Sequence, residues 1–477
     1  MTNHFKQNFV TQKAEVHLPD VPLTGTVPAW LNGTLIRCGP GQFEQTHASY
    51  KHWFDGLSMP HRYTFNNGKL SFQNRFLQSQ AYIKDNASGT LNYRGVFVDP
   101  KRTFWDKIKA LFINDVTDNC NIQTVDDQGT IVIMTELPHM YQLDPISLQT
   151  VAKYEYDQKI NATMQTAHPH IDPNKGNLIV NYMLKISLFN YYEVFNVRGR
   201  AYQRVSRVPV TSPSYMHSFA LTENYVILAE QPLKLPGYGR GVFELAFGNK
   251  PFMENFVWSG DQPTVLQVID RNDGRVVTQA ETDAFFVFHQ LNAYEQNGEI
   301  IMDLAAYPNA SVLPDFFLDR LRSETNIPHT PAWATRYRIP LGKANSRIDG
   351  ERLAQMNMEL PRINYSYNTR PYRYAYGVSL YQNLPDFPNQ LVKIDVTTGE
   401  TAVWHQPLQY PSEPVFVPNP NGSAEDDGVV LANVYDASKN SSYLLVLDGQ
   451  SFTQMARGDL NFRIPFDYHG WFYPGVV

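Results

Sequence analysis

The sequence predicts an all-β fold, and three observations support this prediction. Short β-prone runs separated by turn residues follow one another along nearly the whole chain. An aspartate turn recurs between pairs of these runs. The 477 residues also include 28 Phe, 28 Tyr and 7 Trp, which suits β packing and equally suits a long apolar ligand tunnel. Evenly spaced short strands favour a barrel, a sandwich or a propeller over an α/β fold.

Six runs are the most strand-like segments of the chain, because each is rich in Val, Ile, Leu and Tyr and is bounded by Asn, Asp or Gly. We expect strands at 177–183, 225–230, 264–270, 299–307, 390–395 and 443–448.

An irregular repeat favours the propeller among the all-β folds. In each copy, apolar residues run into an Asp turn and a second strand follows, as at the edge of a propeller blade. The alternative is that Asp and Gly turns are common in any β protein, since the spacing between the copies is not constant. The four copies are Gln142-Leu-Asp-Pro145, Val268-Ile-Asp-Arg-Asn-Asp-Gly274, Lys393-Ile-Asp-Val-Thr-Thr-Gly399 and Val446-Leu-Asp-Gly449.

Helical signals are few, and we place them in inserts. Residues 104–112 carry apolar side chains at helical spacing with charges opposite, and 313–322 resembles this segment. The segment 232–258 is aromatic, Gly-rich and poor in charge. Two interpretations stay open: these segments pack as a cap on the β core, or part of their surface enters a membrane interface to collect an apolar substrate.

Composition excludes some functions. A formal net charge of −6, without a basic run, argues against nucleic acid as a partner. Two cysteines, Cys38 and Cys120, are too few for a disulfide framework or a thiolate metal site, so we expect a cytoplasmic protein. We expect neither a secretory signal nor a membrane span, while peripheral contact with a membrane stays open.

Four of the 13 histidines have a distinctive sequence context. His217, His289 and His469 lie in β-prone, aromatic surroundings, and His168 lies in Ala167-His-Pro-His-Ile-Asp172. Burying a lone imidazole there is costly without a partner, and a shared metal would provide one. If each histidine lies on the inner strand of a different blade, all four converge on the propeller axis. Imidazole ligands suit iron, copper or zinc without choosing among them.

Histidines that bind a metal usually donate their second ring N–H to an acceptor that fixes the tautomer. Glu136, Glu359 and Glu413 are candidate acceptors, because each precedes Pro, directly or after one residue, beside a strand-like or extended stretch. From these residues alone, a solvated glutamate at a strand end is the simpler interpretation of each.

The chain resembles the carotenoid cleavage oxygenase family over nearly its whole length, and it is closer to the animal carotene oxygenase branch than to the plant enzymes. Ten blocks in family order carry the resemblance. They are Gly33-Thr-Leu-Ile-Arg-Cys-Gly-Pro40, His52-Trp-Phe-Asp-Gly56, Thr117-Asp-Asn-Cys-Asn-Ile122, Thr166-Ala-His-Pro-His170, Phe286-Val-Phe-His289, Pro361-Arg-Ile-Asn-Tyr365, Tyr372-Arg-Tyr-Ala-Tyr-Gly377, Glu413-Pro-Val-Phe-Val-Pro418, Glu425-Asp-Asp-Gly428 and Tyr468-His-Gly470.

The resemblance implies a single domain, 1–477, that forms a seven-bladed β-propeller with a helical cap. We expect the cap inserts around 101–115, 184–200, 232–258 and 309–325. The family pattern also implies one catalytic Fe²⁺ per chain with O2 as co-substrate. It assigns the metal to His168, His217, His289 and His469, and it makes Glu136, Glu359 and Glu413 hydrogen-bond acceptors of the last three ligands. His170, His52 and His61 are expected to be structural.

The implied activity is cleavage of a conjugated double bond of a carotenoid or apocarotenoid to aldehydes, retinal-type products among them. One departure concerns Val98-Asp-Pro-Lys-Arg102, where the animal proteins carry a cysteine after an Asp-Pro pair. This favours cleavage over isomerisation. A stilbene-cleaving oxygenase, a retinoid isomerase and a non-catalytic propeller scaffold stay as alternatives, and no obligate protein partner is implied.

Overall fold

Seven sheets, antiparallel apart from one parallel strand pair, are arranged around a common axis in the computed structural model. The model describes residues 3–100, 103, 105, 116–237, 239–248, 250–325, 327 and 329–477. We number the sheets as blades 1 to 7 and give the strands from the axis outwards. Innermost strands contact one another between blades 1 and 2, 4 and 5, 5 and 6, 6 and 7, and 7 and 1, in keeping with a ring of blades around the axis.

Blade 1 joins both ends of the chain and contains Gly470–Pro474, Gly33–Arg37, His61–Asn66, Lys69–Asn74 and His17–Val21. Blade 2 contains Gln123–Asp127, Thr130–Met134, Met140–Leu143 and Thr150–Lys153. Blade 3 begins with two short inner strands, Met164–Gln165 and His170–Asp172, followed by Leu178–Lys185, Tyr191–Arg198 and Ala201–Pro209.

Blade 4 contains Ala220–Leu221, Tyr225–Glu230, Thr264–Asp270, Val276–Thr282 and the parallel strand Asn345–Arg347. Blade 5 contains Phe286–Gln296, Glu299–Tyr307, Trp333–Pro340 and Gly350–Asn357. Blade 6 contains Glu359–Ile363, Tyr374–Ser379, Gln390–Asp395 and Thr401–His405. Blade 7 contains Gln409–Pro411, Val415–Pro418, Gly428–Asp436, Ser441–Asp448, Gln454–Asp459 and Leu23–Gly25.

The predicted all-β, seven-bladed fold is confirmed, and the six predicted strands all form. The aspartate turns also join strands as predicted, in blades 2, 4, 6 and 7. The core lies between adjacent sheets. Leu228, Ile301 and Ile394, from blades 4, 5 and 6, belong to one apolar cluster and are each at most 1% exposed.

Short helices and two small sheets lie outside the blades. Among the residues that the structure describes, α-helices span Gln80–Ser88, Arg240–Phe247, Val312–Asp315 and Leu318–Leu321. The 3₁₀ helices are Lys6–Phe9, Trp53–Asp55, Pro173–Lys175, Met253–Asn255, Tyr365–Tyr367 and Tyr381–Asn383. The small sheets pair Pro40–Gln42 with Leu57–Ser58 and Leu233–Lys234 with Val257–Trp258. Within the described ranges, no helix is both long enough and apolar enough to cross a membrane.

Two insert predictions need correction. The segment 184–200 lies mostly in blade 3, because the alternating side chains of Leu178–Lys185 and Tyr191–Arg198 pair as a hairpin; its tip, 186–190, connects the two strands. The predicted helix at 313–322 is two single turns, because Phe317 between them has an extended backbone. The predicted helix at 104–112 lies outside the described residues except for Trp105.

Candidate metal centre

Each of the seven blades delivers one histidine or glutamate to the axis. His469, His168, His217 and His289 come from blades 1, 3, 4 and 5. Glu136, Glu359 and Glu413 come from blades 2, 6 and 7. All but Glu136 lie on the innermost strands or in the loops beside them, and Glu136 follows the second strand of blade 2. Residues far apart in sequence therefore meet at one point.

The four predicted histidines form one cluster. One ligand atom from each lies within 4.8 Å of all the others. The Nε2 atoms of His168 and His217 are 2.9 Å apart. His217, His289 and His469 are buried, and His168 is partly buried. Four imidazoles that enclose one point are consistent with a metal site.

Three of the four rings are each oriented by a carboxylate of their own. Nδ1 of His217 donates to Oε1 of Glu136 at 2.6 Å, and Nδ1 of His289 donates to Oε2 of Glu359 at 2.6 Å. Nδ1 of His469 donates to Oε1 of Glu413 at 2.8 Å. With the proton held on Nδ1, the Nε2 lone pair of each ring faces the centre of the cluster.

Burial favours the neutral form of His168 and His469. It lowers the pKa of His168 well below the ordinary histidine value, and the neighbouring imidazoles lower it further. Burial also lowers the pKa of His469 to about 3, although Glu413 opposes this shift. Neutral imidazoles at neutral pH are the form that coordinates a metal.

The donor set fits a bound cation. Lone pairs that face one another repel unless an electrophile lies between them. Nε2 of His289 is buried and has no hydrogen-bond partner within the described part of the chain. A buried polar atom without a partner carries a desolvation cost, which coordination of a metal would remove.

Two supporting residues were not assigned a role from the sequence. Tyr215 donates its hydroxyl to Oε1 of Glu136 at 2.8 Å, and Arg362 donates to both oxygens of Glu413 at 2.9 and 3.1 Å. Burial would raise the pKa of Glu413, but Arg362 and then His469 lower it to about 2. Arg362 lies inside one of the family blocks, and a charged residue within this inner strand was the available signal.

The other singled-out histidines lie outside the cluster. Nε2 of His170 contacts the carbonyl oxygen of Phe219 at 2.9 Å. His52 contacts the carbonyl oxygen of Leu313 at 3.0 Å, and His61 lies 3.2 Å from Asp467. Each of these rings therefore has a local partner of its own.

An apolar cavity reaches the cluster. His217, His289 and His469 form part of its wall. Most of the remaining wall is aromatic or aliphatic and includes Trp53, Phe54, Val96, Phe288, Tyr307, Phe316, Phe387 and Phe466. The histidine cluster therefore borders a space suited to an apolar molecule.

Comparison with known proteins agrees with this architecture. The chain is 33% identical to a carotenoid isomerooxygenase of Galleria mellonella over 95% of this chain and 93% of that one. It is 29% identical to the beta,beta-carotene 15,15'-dioxygenase of Mus musculus over 98% and 91% of the two chains. The cobalt-substituted Synechocystis apocarotenoid oxygenase superposes with a TM-score of 0.87 at 26% identity, covering 99% of this chain and 98% of that one.

The family profile described as retinal pigment epithelial membrane protein matches residues 9–474. This match covers nearly the whole chain and confirms the resemblance drawn from the ten sequence blocks. The chain therefore belongs to the retinal pigment epithelial membrane protein family, the family of the carotenoid oxygenases.

Proposed function

We propose that the protein is an iron(II)-dependent dioxygenase that cleaves one conjugated double bond of a carotenoid or apocarotenoid. One O2 is consumed, the C=C bond is broken, and each of its carbons gains a C=O bond, giving aldehydes that include retinal-type products. The observation that carries this proposal is the convergence of four imidazoles at one point, three of which form part of the wall of an apolar cavity.

The residues of the chain hold and orient the reactants. His168, His217, His289 and His469 would bind the iron, and Glu136, Glu359 and Glu413 would fix three of these rings. Bound iron(II) would supply the activation of O2. The aromatic wall positions the polyene beside the cluster and excludes water, which limits side reactions. The proposal needs neither a protein nucleophile nor an acid/base pair.

Metal analysis after anaerobic purification tests the metal, and product identification under oxygen tests the reaction. We expect about one iron per chain, and cleavage of a full-length carotenoid or a shorter apocarotenal. His168→Ala should abolish both iron binding and turnover. His170→Ala is the matched control, because this histidine lies two residues away and outside the cluster. Full iron content and activity in His168→Ala would remove His168 from the ligand set.

The same experiment separates the alternatives. A product of unchanged mass without O2 uptake indicates an isomerase, and turnover restricted to phenolic stilbenes indicates a stilbene-cleaving oxygenase. The absence of bound metal would favour the non-catalytic propeller scaffold.

We also infer peripheral contact with a membrane from the cytoplasmic side. Leu188 and Phe189, at the tip of the blade 3 hairpin, are 79% and 85% exposed. Phe243, on the helix Arg240–Phe247, is also exposed. The hairpin adjoins this helix, because Cδ2 of Leu188 lies 3.9 Å from the position that a Cβ atom would occupy on Gly239, the residue before the helix. Adjacent exposed apolar side chains suit insertion at a lipid interface, from which an apolar substrate could enter.

A further inference from the structure

A second cavity meets the histidine cluster. We call it the polar cavity, because Gln123, Gln290 and Arg362 line it together with His168, His289 and His469. A third cavity, the outer cavity, shares Arg362, Ile363 and Tyr365 with it. Exposed residues such as Ser366 and Pro418 line the outer cavity, so it lies at the protein surface.

The chain itself gives the order of the three cavities along the axis. In blade 1, residues 466–468 line the apolar cavity, His469 lies at the cluster, and 471–472 line the outer cavity. In blade 6, Leu360 lines the apolar cavity, Pro361 lines the polar cavity and Ser366 lines the outer cavity. Because strands rise steadily along their length, the polar and outer cavities lie on the opposite side of the histidines from the apolar cavity.

The polar cavity contains polar groups that require water. Both side-chain amide atoms of Gln290 are buried, and neither finds a hydrogen-bond partner among the residues that the structure describes. Leaving such groups unsatisfied is costly, whereas one or two water molecules in the cavity would satisfy them.

The charge along this path is balanced. Arg362 borders both the polar and the outer cavity, and its guanidinium is paired with the carboxylate of Glu413. A cation that passes therefore meets an ion pair and an amide instead of an unopposed positive charge. The apolar cavity offers mostly ring and aliphatic surfaces, against which a divalent cation would lose its hydration at a prohibitive cost.

We propose that the metal ion enters through the outer and polar cavities as a hydrated divalent cation, on the side of the cluster opposite the substrate. Gln290 replaces part of the ion's hydration before the histidines coordinate it, and the ring of Tyr365 narrows the junction between the two cavities. This inference rests on the proposed function, since it takes the four histidines to be the metal site.

Metal uptake by the metal-free protein tests the path without a measurement of turnover. Co²⁺ is added, and its visible absorption in the site is followed with time. Gln290→Leu keeps the approximate volume and removes the amide, so we expect uptake about tenfold slower with the same final cobalt content. This fold-change corresponds to about 1.4 kcal/mol in the barrier. Tyr365→Ala removes the ring that packs 4.5 Å from Trp471 and should accelerate uptake.

Val96→Phe is the control, because it narrows the apolar cavity and should leave the rate of uptake unchanged. The inference is overturned if Val96→Phe slows uptake while Gln290→Leu and Tyr365→Ala match the wild type. Wild-type protein that takes up no Co²⁺ or Fe²⁺ would instead overturn the proposed function, and this inference with it. Since Gln290→Leu and Tyr365→Ala are expected to act in opposite directions, loss of folding cannot imitate both results.

Discussion

Buried charges beside the histidines are arranged in compensating pairs. Glu413 is paired with Arg362, and Asp467 accepts from Arg37 at 2.9 and 2.5 Å. Arg37 also donates to the backbone carbonyl of Glu413 at 2.8 Å. Removing one partner of a buried pair leaves the other charge uncompensated, which costs more than the intact pair contributes.

Arg362→Met should therefore reduce both stability and metal affinity. We expect a loss of about 3–5 kcal/mol in the free energy of unfolding. We also expect metal affinity to fall about 10–100-fold, because the acceptor of His469 loses its anchor. Arg362→Lys should have intermediate stability and metal affinity, since lysine keeps the charge but cannot form the bidentate hydrogen bonds. Denaturant unfolding and metal titration measure the two effects.

Arg336→Met is the matched control. Arg336 donates to both oxygens of the buried Asp303 at 2.8 Å within blade 5, and neither residue borders the cavities at the cluster. This variant should lose stability while keeping its metal affinity. Equal metal affinity in Arg362→Met and the wild type would contradict the positioning role of Arg362.

Two residues of the turn at 52–55 give opposing pH dependences. His52 contacts the carbonyl oxygen of Leu313, and burial lowers its pKa to about 3. Asp55 accepts from the backbone N–H groups of Val96 and Phe97 at 2.8 and 2.9 Å, and burial raises its pKa to about 7. Both groups are therefore uncharged in the folded protein over the range in which they would titrate in the unfolded chain.

The signs of the two contributions follow from linkage. The unfolded chain protonates His52 more readily, so the stability from His52 is lost as pH falls from about 6.5 towards 3. The folded protein holds the proton of Asp55 more tightly, so the stability from Asp55 is lost as pH rises from about 4 towards 7. The difference in the free energy of unfolding between His52→Gln and the wild type should decrease by about 1.4 kcal/mol for each pH unit as the pH rises from 4.5 to 6. The corresponding difference for Asp55→Asn should increase by a similar amount over the same rise in pH. Denaturant unfolding at pH 4.5 and 6 gives the slope of the free energy of unfolding against pH for each protein. If both variants show the same slope as the wild type, this account is refuted.

The residues themselves singled out the histidines and the family resemblance assigned the glutamates, but neither indicated the residues that support them. The histidines stood out because imidazoles are unusual in aromatic, β-prone segments, and the family blocks separated His168 from His170. Tyr215 and Arg362 act through contacts between blades, and no sequence spacing reports such contacts.

The aspartate turns show why the repeat could be detected at the level of elements. Oδ1 of Asp144, Asp270, Asp395 and Asp448 each accepts from two backbone N–H groups of its turn. This local chemistry recurs in blades 2, 4, 6 and 7, so it left a sequence signature. The spacing was irregular because inserts of different length separate the blades. Their conformation depends on tertiary packing, which explains why the helix expected at 313–322 is divided.

The exposed hairpin tip of blade 3 gives a prediction at the same scale. Replacing Leu188 and Phe189 together by Ser should reduce sedimentation with phospholipid vesicles several-fold, because the apolar area that enters the interface is removed. Stability should change little, since both side chains are largely exposed. Val151 and Val403, which are 55% and 48% exposed on the outermost strands of blades 2 and 6, provide a Ser-substituted control. Equal vesicle binding by the hairpin variant and the control would argue against this membrane contact.

Both ends of the chain close the ring. The C-terminal strand Gly470–Pro474 is the innermost strand of blade 1, whose other strands come from the first 74 residues. The early strand Leu23–Gly25 completes blade 7 beside Gln454–Asp459. His469 directly precedes the closing strand, so closure of the ring and completion of the histidine cluster depend on one segment. Pairing between strands more than 400 residues apart has no local signature, and the sequence analysis did not predict it.

A metal bound by blades 1, 3, 4 and 5 would link four sheets across the axis, so its removal should affect the whole propeller. We expect chelation to lower the melting temperature in one cooperative transition, because a ligand that binds only the folded state stabilises it by mass action. At a free metal concentration of about 100 times Kd, this stabilisation is about 2.7 kcal/mol. Fe²⁺ should restore the melting temperature of the wild type but not that of His168→Ala, whereas His170→Ala should respond like the wild type. A melting temperature that does not respond to chelation in iron-loaded protein would show that the histidine cluster is already stable without a metal.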